Sequence, residues 1–257
     1  MSLSMFSLQG KTALITGGNG GLGRAIALGL RDAGARVAVT GRTATKNAAV
    51  ARELGSDHAV YKLDVRDEEA VRRTTAAVVK DFNRLDILVN NAGLVIGGPV
   101  LEMSRADWDA VIETNLTGSF LCAKHAAKAM VAQGEGGKII NIGSIYSLYG
   151  TPEFAEYGSS KAGILGLTRA LAIELALHNI QVNAILPGWY ETEMTREEAT
   201  SEIGDQIRRK TAAGRWGEPE ELVGTAVFLA SAASDFVTGA HIPVDGGYLI
   251  TERFVHE

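Results

Sequence analysis

The sequence has few of the residues that mark several large classes of protein. It contains one cysteine, Cys122, which excludes an internal disulfide and suits a reducing compartment. Its five scattered histidines have no metal-ligand spacing with one another or with that cysteine, so no metal site is predicted. No run approaches the roughly 18 apolar residues of a membrane span, and the N-terminus lacks a basic region followed by an apolar stretch. We therefore expect neither a membrane helix nor a signal peptide.

The sequence also has fewer basic than acidic residues. Lysine and arginine number 25 against 30 aspartates and glutamates, and the formal net charge is −5. This balance gives no electrostatic reason to expect binding to nucleic acid or to an anionic membrane. What remains is an ordinary globular composition, with 46% hydrophobic and 21% charged residues among 257. We therefore expect a cytoplasmic globular protein.

Short runs rich in β-branched residues alternate with longer helical patterns along the chain. The runs typical of strands lie at residues 12–16, 36–40, 59–65, 85–93, 137–144, 180–188 and 240–247. The longest helical pattern continues without a break over residues 106–133. Strands separated by helices favour an α/β fold, here a Rossmann-type, doubly wound parallel sheet of about seven strands covered on both faces.

Nothing in the sequence divides the chain into separate units. No linker, low-complexity segment or fixed-period repeat is present, so we predict a single domain over residues 1–257. One stretch, about 188–216, departs from the regular pattern and is rich in aromatic and charged residues. A long excursion after a late strand is typical of a substrate-binding loop.

A glycine-rich turn follows the first predicted strand and reads TGGNGGLG over residues 16–23. Glycine lets a backbone turn sharply and approach a pyrophosphate, whose charge a helix N-terminus stabilises. The spacing is G-x-x-x-G-x-G, so the general fingerprint is not matched literally and an ordinary strand–helix turn stays an alternative. Because the turn follows the first strand of an α/β series, we predict a dinucleotide site. Its predicted contacts are Gly17, Asn19, Gly21, Leu22 and Gly23.

The second predicted strand ends in Gly41 and Arg42, about 20 positions beyond the glycine turn. An acid at this point would bind a free ribose 2′-hydroxyl and repel a phosphate. Arg42 can instead bind a 2′-phosphate with its forked guanidinium, and Gly41 leaves space where an acid would lie. The pattern favours NADP(H). The alternative is a solvent-exposed arginine at a strand end that also accepts NAD(H).

The segment YGSSK places Tyr157 and Lys161 four residues apart, on one face of a predicted helix. A phenol with a pKa of about 10 is a poor acid or base near neutrality, and an adjacent ammonium favours its phenolate. Such a pair could protonate a carbonyl oxygen or deprotonate an alcohol while a hydride moves. Exposed helix partners without a chemical role are the alternative.

Two more features bring the sequence close to a known family. Ser144 ends the run GKIINIGS and lies 13 positions before Tyr157, while NNAG occupies residues 90–93. With the glycine turn and the pair of Tyr157 and Lys161, they resemble the short-chain dehydrogenase/reductase family in its compact form of about 250 residues. The resemblance runs from Lys11 to Gly247, and the motifs stand in the family's order.

The resemblance implies four catalytic residues. Tyr157 would be the general acid and base, and Ser144 would hydrogen-bond the reacting oxygen. Lys161 would lower the pKa of Tyr157 and bind the nicotinamide ribose. Asn115 matches the family's helix asparagine, which holds a water that links Lys161 to solvent, and a helix kink is compatible with that role. The implied reaction is hydride transfer between a nicotinamide cofactor and a secondary alcohol or ketone.

The resemblance also implies cofactor contacts beyond the glycine turn. They cover the adenine, the central strand beside the cofactor and the nicotinamide pocket. These residues are Asp64, Val65, Asn91, Ala92, Gly93, Pro187, Gly188 and Thr192, besides Tyr157 and Lys161. Family members that prefer NADP often have a basic residue where this chain has Arg42. Since the glycine turn itself has Asn19 and Gly20 and no basic residue, NADP(H) is favoured and NAD(H) stays open.

Substrate and assembly are expectations from the resemblance. Residues 187–195 and 215–222 are similar to sugar-acid members such as gluconate 5-dehydrogenase, so the expected small-molecule substrate is a sugar, sugar acid or polyol. The same frame serves 3-oxoacyl-carrier-protein reductases, and a non-catalytic nucleotide-binding protein is a remote alternative. The family implies a homotetramer. Helices near 101–130 and 157–178 would pack across subunits, and residues 241–257 would close a second interface.

Overall fold

The structure, a computed structural model, describes residues 3–252 and contains one seven-stranded sheet. Its strands are β1 (Thr12–Thr16), β2 (Arg36–Gly41), β3 (Ala59–Lys62), β4 (Ile87–Asn90), β5 (Gly137–Ile142), β6 (Ile180–Pro187) and β7 (His241–Val244). All neighbouring strands pair in parallel, in the order β3-β2-β1-β4-β5-β6-β7. The predicted doubly wound parallel sheet in a single domain is confirmed.

Helices cover both faces of this sheet. They are α1 (Gly21–Asp32), α2 (Ala44–Leu54), α3 (Glu68–Phe82), α4 (Arg105–Ile112), α5 (Gly118–Gln133), α6 (Ala155–Leu175), α7 (Arg196–Ala199), α8 (Glu202–Lys210) and α9 (Val223–Ala230). Buried residues of α1, α2 and α9 share one hydrophobic cluster, and those of α3, α5 and α6 share another. The sheet therefore has a hydrophobic core on each side.

Alternate residues of the central strand supply these two cores. All five residues of β1 are buried; Ala13 and Ile15 pack on the side of α1, and Leu14 packs on the side of α5. Side chains of a strand point to opposite faces in turn, so a strand buried on both faces reads as a continuous apolar run. Each fully buried leucine or isoleucine contributes about 1.5–3 kcal/mol.

The strand order creates a crevice at one edge of the sheet. β4 lies beside β1, although β2 and β3 come between them in the chain. At such a reversal the loops that leave the carboxyl ends of the two strands diverge to opposite faces, and ligands bind between them. The glycine turn follows β1 and NNAG follows β4, so both motifs border this crevice.

Two predicted segments differ from the structure. The continuous helix expected over 106–133 is divided into α4 and α5 by a π-helical turn, Glu113–Thr117. The irregular stretch 188–216 contains the short helices α7 and α8. In α8 the Ser201 side chain accepts a hydrogen bond from the Gly204 N–H, which satisfies a free donor of the first turn.

Three further expectations concern membrane helices, metal sites and the C-terminal interface. Among residues 3–252, no helix is long and apolar enough to cross a membrane. The same residues include no group of three or more histidine, cysteine, aspartate and glutamate side chains placed to hold a metal ion. The interface expected for 241–257 extends beyond the described residues at 253–257.

Candidate active site

The glycine turn is held against the loop that follows β4. Gly17 has φ +62°, and a Cβ there would lie 2.9 Å from the Ala92 Cα. A Cβ at Gly23 would collide with the Asn91 amide. That amide donates hydrogen bonds of 3.0 Å to the carbonyls of Thr16 and Gly17. Asn91 therefore braces the turn from behind, and the glycines allow this close contact.

The opposite side of the turn is suited to an anion. Gly20 is the N-cap residue of α1 and has no side chain to cap the helix. The first N–H groups of α1 therefore have no side-chain acceptor. A Cβ at Gly20 would meet nothing within 4 Å, and one at Gly21 would meet only Thr192, at 3.8 Å. Free N–H groups and open space at the start of a 12-residue helix fit a pyrophosphate.

The space predicted beside Gly41 is filled, which corrects the sequence-based expectation. The Asn19 Nδ2 donates to the Asn47 Oδ1 at 2.7 Å, and the Asn47 Nδ2 donates to the Gly41 carbonyl at 3.0 Å. A Cβ at Gly41 would collide with the Asn19 amide. Two neutral amides thus occupy the place of an acid, and Arg42 beside them is exposed. Asn47 was missed because a polar residue in the first turn of a helix is expected to face solvent.

The two predicted adenine contacts, Asp64 and Val65, lie at the same end of the crevice but are held differently. Asp64 forms an ion pair of 2.6 Å with Arg66, and the hydrogen bond from Arg66 lowers the pKa of Asp64. Val65 is buried and faces Gly118, where a Cβ would lie 2.6 Å from it.

Ser144, Tyr157 and Lys161 meet at the carboxyl end of β5. Ser144 follows the strand, and its hydroxyl lies near the phenol of Tyr157 and acts to lower the pKa of that phenol. The same hydroxyl accepts from the Tyr146 N–H at 3.1 Å. Sequence reasoning missed Ser147, whose hydroxyl accepts from the Ser144 N–H at 3.2 Å and donates to the Lys161 carbonyl at 2.8 Å. Ser147 therefore ties the turn after β5 to α6.

Burial has the largest effect on the pKa values of Lys161 and Tyr157. Lys161 is 5% exposed, and burial lowers its pKa to about 8. Burial raises the pKa of Tyr157, against the opposing effect of the Ser144 hydroxyl. The lowering of the Tyr157 pKa by Lys161 is not found. The ammonium donates to the Ile142 carbonyl at 2.8 Å and lies 5.5 Å from the Tyr157 ring centroid.

Asn115 lies in the π-helical turn and is 1% exposed. Its amide accepts from the Leu94 N–H at 2.7 Å and donates to the Leu94 carbonyl at 2.9 Å. It also donates to the Ser160 hydroxyl at 3.0 Å, one residue before Lys161. A Cβ at Gly93 would lie 3.5 Å from the Asn115 Oδ1 and 3.8 Å from the Lys161 Nζ. The structure therefore brings Asn115 beside the buried ammonium.

The remaining predicted contacts lie at the carboxyl end of β6. The Gly188 N–H donates to the Val244 carbonyl at 3.0 Å, and a Cβ at Gly188 would press on Asp245. Pro187 ends the strand. The Thr192 N–H donates to the Thr195 hydroxyl at 3.0 Å, which holds the loop over the glycine turn. These contacts give the nicotinamide end of the crevice a fixed wall.

Aromatic rings surround the space in front of Tyr157. The Tyr146 ring lies 6.0 Å from the Tyr157 ring, 5.9 Å from the Phe154 ring and 6.0 Å from the Trp189 ring. Trp189 in turn packs on Trp216 at 5.2 Å. The Trp189 Nε1 is buried and has no hydrogen-bond partner among residues 3–252. Aromatic rings therefore pack around Tyr157, and a buried donor without a partner lies among them.

The crevice and these side chains define a dinucleotide-dependent oxidoreductase as the class of protein. A family model described as enoyl-(acyl carrier protein) reductase matches residues 17–249. The chain belongs to the short-chain dehydrogenase/reductase family. The resemblance on which the sequence prediction was based is confirmed.

Relatives and solved structures agree with this assignment over nearly the whole chain. The chain is 44% identical to a 2-dehydro-3-deoxy-D-gluconate 5-dehydrogenase of Escherichia coli K12, with 97% of this chain and 99% of that protein covered. It is 38% identical to a 3-oxoacyl-[acyl-carrier-protein] reductase of Aquifex aeolicus, with 93% and 98% covered. A gluconate 5-dehydrogenase of Burkholderia cenocepacia J2315, solved with NADP and tartrate, superposes with a TM-score of 0.93 at 38% identity and covers 98% of this chain and 100% of its own.

Proposed function

We propose that this oxidoreductase interconverts a secondary alcohol and a ketone on a sugar acid, with Tyr157 as general acid and base. The observation that carries the proposal is the meeting of Tyr157 with Ser144 and with the buried Lys161, whose Nζ lies 5.5 Å from the phenol ring centroid. In reduction, the Tyr157 hydroxyl gives its proton to the carbonyl oxygen, and Ser144 donates a hydrogen bond to the same oxygen. Both interactions strengthen as that oxygen gains negative charge, so they favour the transition state.

Lys161 and Asn115 support this proton transfer. Lys161 does not lower the pKa of Tyr157 in the resting structure, and its proposed role is to stabilise the phenolate that forms when Tyr157 gives up its proton. Among residues 3–252 the buried Lys161 Nζ has one acceptor, the Ile142 carbonyl, so it has N–H groups free for a ribose hydroxyl and a water. Asn115 fixes the backbone at Leu94 next to this ammonium. These contacts support a role for Asn115 in shaping the path of the proton to solvent.

A nicotinamide dinucleotide, when bound, supplies or accepts the hydride. The residues that would hold it run along the crevice from the ribose end to the nicotinamide end. They are Gly17, Asn19, Gly21, Leu22, Gly23, Arg42, Asp64, Val65, Asn91, Ala92, Gly93, Tyr157, Lys161, Pro187, Gly188 and Thr192. The open glycine turn supports the pyrophosphate contact, and the braced wall after β6 supports the nicotinamide contact.

NADP(H) is the proposed cofactor, with NAD(H) as the weaker alternative. Exposed Arg42 and the neutral amides of Asn19 and Asn47 place a cation and no acid directly at Gly41, and the nearby Asp64 carboxylate is paired with Arg66. A 2′-phosphate would meet a guanidinium there. The related gluconate 5-dehydrogenase of Burkholderia cenocepacia, solved with NADP, supports this preference.

A sugar acid is the proposed substrate, and segment 188–216 is its proposed binding loop. Rings of Tyr146 and Trp189 can stack on the C–H faces of a carbon chain, while the Trp189 N–H can donate to one hydroxyl. Two relatives named for gluconates support this class. A 3-oxoacyl thioester is the second candidate, supported by the 38% identity to the Aquifex aeolicus reductase.

A homotetramer in the cytoplasm is the proposed state of the protein. Ile173 near the end of α6 and Leu177 in the 3-10 turn after it are 80% and 96% exposed, and Leu101 before α4 is 97% exposed. Large apolar side chains at these places support contacts between subunits near 101–130 and 157–178. The buried, unpaired thiol of Cys122 is compatible with a reducing compartment.

A turnover screen tests the proposal. The purified protein would be assayed with NADP(H) and NAD(H) against sugar acids, sugars, polyols and β-keto thioesters. We expect gluconate-type substrates with NADP(H) to give the highest kcat/KM. Preference for the thioester would establish the second candidate. Tight cofactor binding without turnover of any substrate would establish the remote alternative, a non-catalytic nucleotide-binding protein.

A further inference from the structure

A buried carboxylate next to Tyr157 has no part in the chemistry proposed above. Glu156 lies in the first turn of α6 and is 0% exposed. Its Oε1 accepts hydrogen bonds from the backbone N–H groups of Gly97 at 2.9 Å and Ile96 at 3.4 Å. Its Oε2 is buried and has no donor among residues 3–252. A carboxylate with one unmatched oxygen costs stability in a core, so stability alone does not explain this residue.

The two N–H groups belong to the loop 94–98, which leaves β4 and is fixed at three points. Asn115 holds both backbone polar groups of its first residue. Glu156 holds its middle through the two N–H groups. At its end the Gly98 N–H donates to the Glu153 carbonyl at 2.7 Å. Two of the three anchors come from the chain segment that leads into Tyr157.

This loop forms a side of the space in front of the phenol. At its start, a Cβ on Gly93 would lie 3.8 Å from the Lys161 Nζ. At its far end, a Cβ on Gly97 would lie 3.2 Å from the Phe154 ring, which packs on Tyr146 beside the phenol. The loop therefore extends from the buried ammonium to the aromatic rings. A shift of its backbone would change the width of the substrate space.

We propose that Glu156 is a positioning residue that fixes the loop 94–98 against α6 and so sets the fit of the substrate beside Tyr157. The inference rests on the proposed function, because it takes Tyr157 as the reacting group. Removing the acceptor leaves two N–H groups without a partner, and the loop must move to hydrate them.

Two variants separate positioning from a structural role. Glu156→Leu keeps the volume of the side chain and removes both acceptors, while Glu156→Gln keeps one acceptor oxygen. Glu102→Gln is the matched control, because Glu102 is exposed shortly after the same loop. The measurements are KM and kcat for the best substrate of the wild type, KM for NADP(H), melting temperature and amide hydrogen exchange at Ile96 and Gly97.

For Glu156→Leu we expect a rise of about tenfold in substrate KM with kcat changed less than about threefold. Cofactor KM and melting temperature should stay close to wild type, and the two amides should exchange faster. Glu156→Gln should recover most of the substrate KM, and Glu102→Gln should match the wild type in all readouts.

Three results would overturn the proposal. Unchanged amide exchange in Glu156→Leu shows that the carboxylate does not hold the loop. Faster exchange with unchanged substrate KM shows that the loop does not shape the site. A loss of melting temperature with equal effects on both KM values shows a structural role only. Absence of turnover by the wild type defeats the proposed function instead, while hydrogen exchange still decides whether Glu156 holds the loop.

Discussion

The two ends of the crevice differ in how their side chains are held. At the proposed nicotinamide end Ser144, Asn115 and Lys161 are 8%, 1% and 5% exposed, and each side chain is hydrogen-bonded within the protein. At the proposed ribose end Arg42 is exposed, and the neighbouring Lys46 side chain is 48% exposed in an ion pair with Glu193. One end is buried and fixed by hydrogen bonds, and the other is exposed.

This difference predicts two kinds of functional dependence. A fixed group that acts on the reacting oxygen has no replacement, because its neighbours are already hydrogen-bonded and cannot take its position. An exposed cation is screened, and nearby charges or water can take over part of its role. Substitutions at the buried end should therefore lower kcat strongly. Those at the open end should change the relative affinities for NADP(H) and NAD(H) only moderately.

The largest effect is expected for Tyr157→Phe. Loss of the hydroxyl removes the proposed acid and base, so kcat should fall about a thousandfold or more. Since phenylalanine keeps the ring contacts with Tyr146, melting temperature and NADP(H) affinity should stay near wild type. Steady-state kinetics with fluorescence titration of the cofactor checks both parts. Full turnover in this variant would show that another group carries the proton.

The second largest effect is expected for Lys161→Met, which should lower activity and raise the free energy of unfolding. Activity should fall about a hundredfold or more, because the phenolate loses its cation. Burial lowers the pKa of Lys161 to about 8, so holding the charge at pH 7 costs folding free energy. After allowance for the lost bond to the Ile142 carbonyl, the variant should be more stable at pH 7 by about 2 kcal/mol.

The pH dependence of unfolding tests the cause of that gain. Above pH 8 the folded wild type loses the Lys161 proton, whereas the unfolded chain keeps it up to a pKa of about 10.4. The unfolded state then binds more protons, so this residue adds stability to the wild type as pH rises from about 8 to 10. Urea unfolding should show the two proteins converging over that range. A constant difference in unfolding free energy would rule out the buried charge as the cause.

Most of the fold could be predicted from the sequence because the sheet is buried on both faces. Its strands are continuous apolar runs, and β1 has the bounds that the pattern predicts at 12–16. The π-helical turn at Glu113–Thr117 could not be predicted, since apolar spacing is almost the same on either side of one wider turn. The helices α7 and α8 were missed because the many charged residues there hide a short apolar face.

The candidate site was predictable where its residues form a motif in the sequence. Tyr157, Lys161 and Ser144 have a spacing that the fold preserves, so their proximity followed from the sequence. Asn47 and Glu156 lie in the first turns of helices, where asparagine and glutamate usually meet solvent. Their roles depend on loops that are distant in the chain, and no local pattern shows those contacts.

The smallest effects are expected for Arg42→Ala and Asn47→Leu at the open end, and they sharpen the contrast between the two ends. Loss of the guanidinium should weaken NADP(H) binding about tenfold and leave NAD(H) binding unchanged, because only the first carries a 2′-phosphate. Asn47→Leu should reduce NADP(H) affinity less, about threefold, since it only loosens the Asn19 amide and the Gly41 carbonyl. Both affinities can be measured by fluorescence titration without turnover.

Salt dependence separates a direct contact of Arg42 from a general field effect. An exposed charge pair weakens as ionic strength rises, with a screening length of about 10 Å at 0.1 M. NADP(H) affinity of the wild type should therefore fall with added salt, and Arg42→Ala should lose most of that slope. Equal losses for NADP(H) and NAD(H) in Arg42→Ala would contradict a phosphate contact. They would place Arg42 against the adenine or the fold, and cofactor choice would then depend on the neutral amides of Asn19 and Asn47.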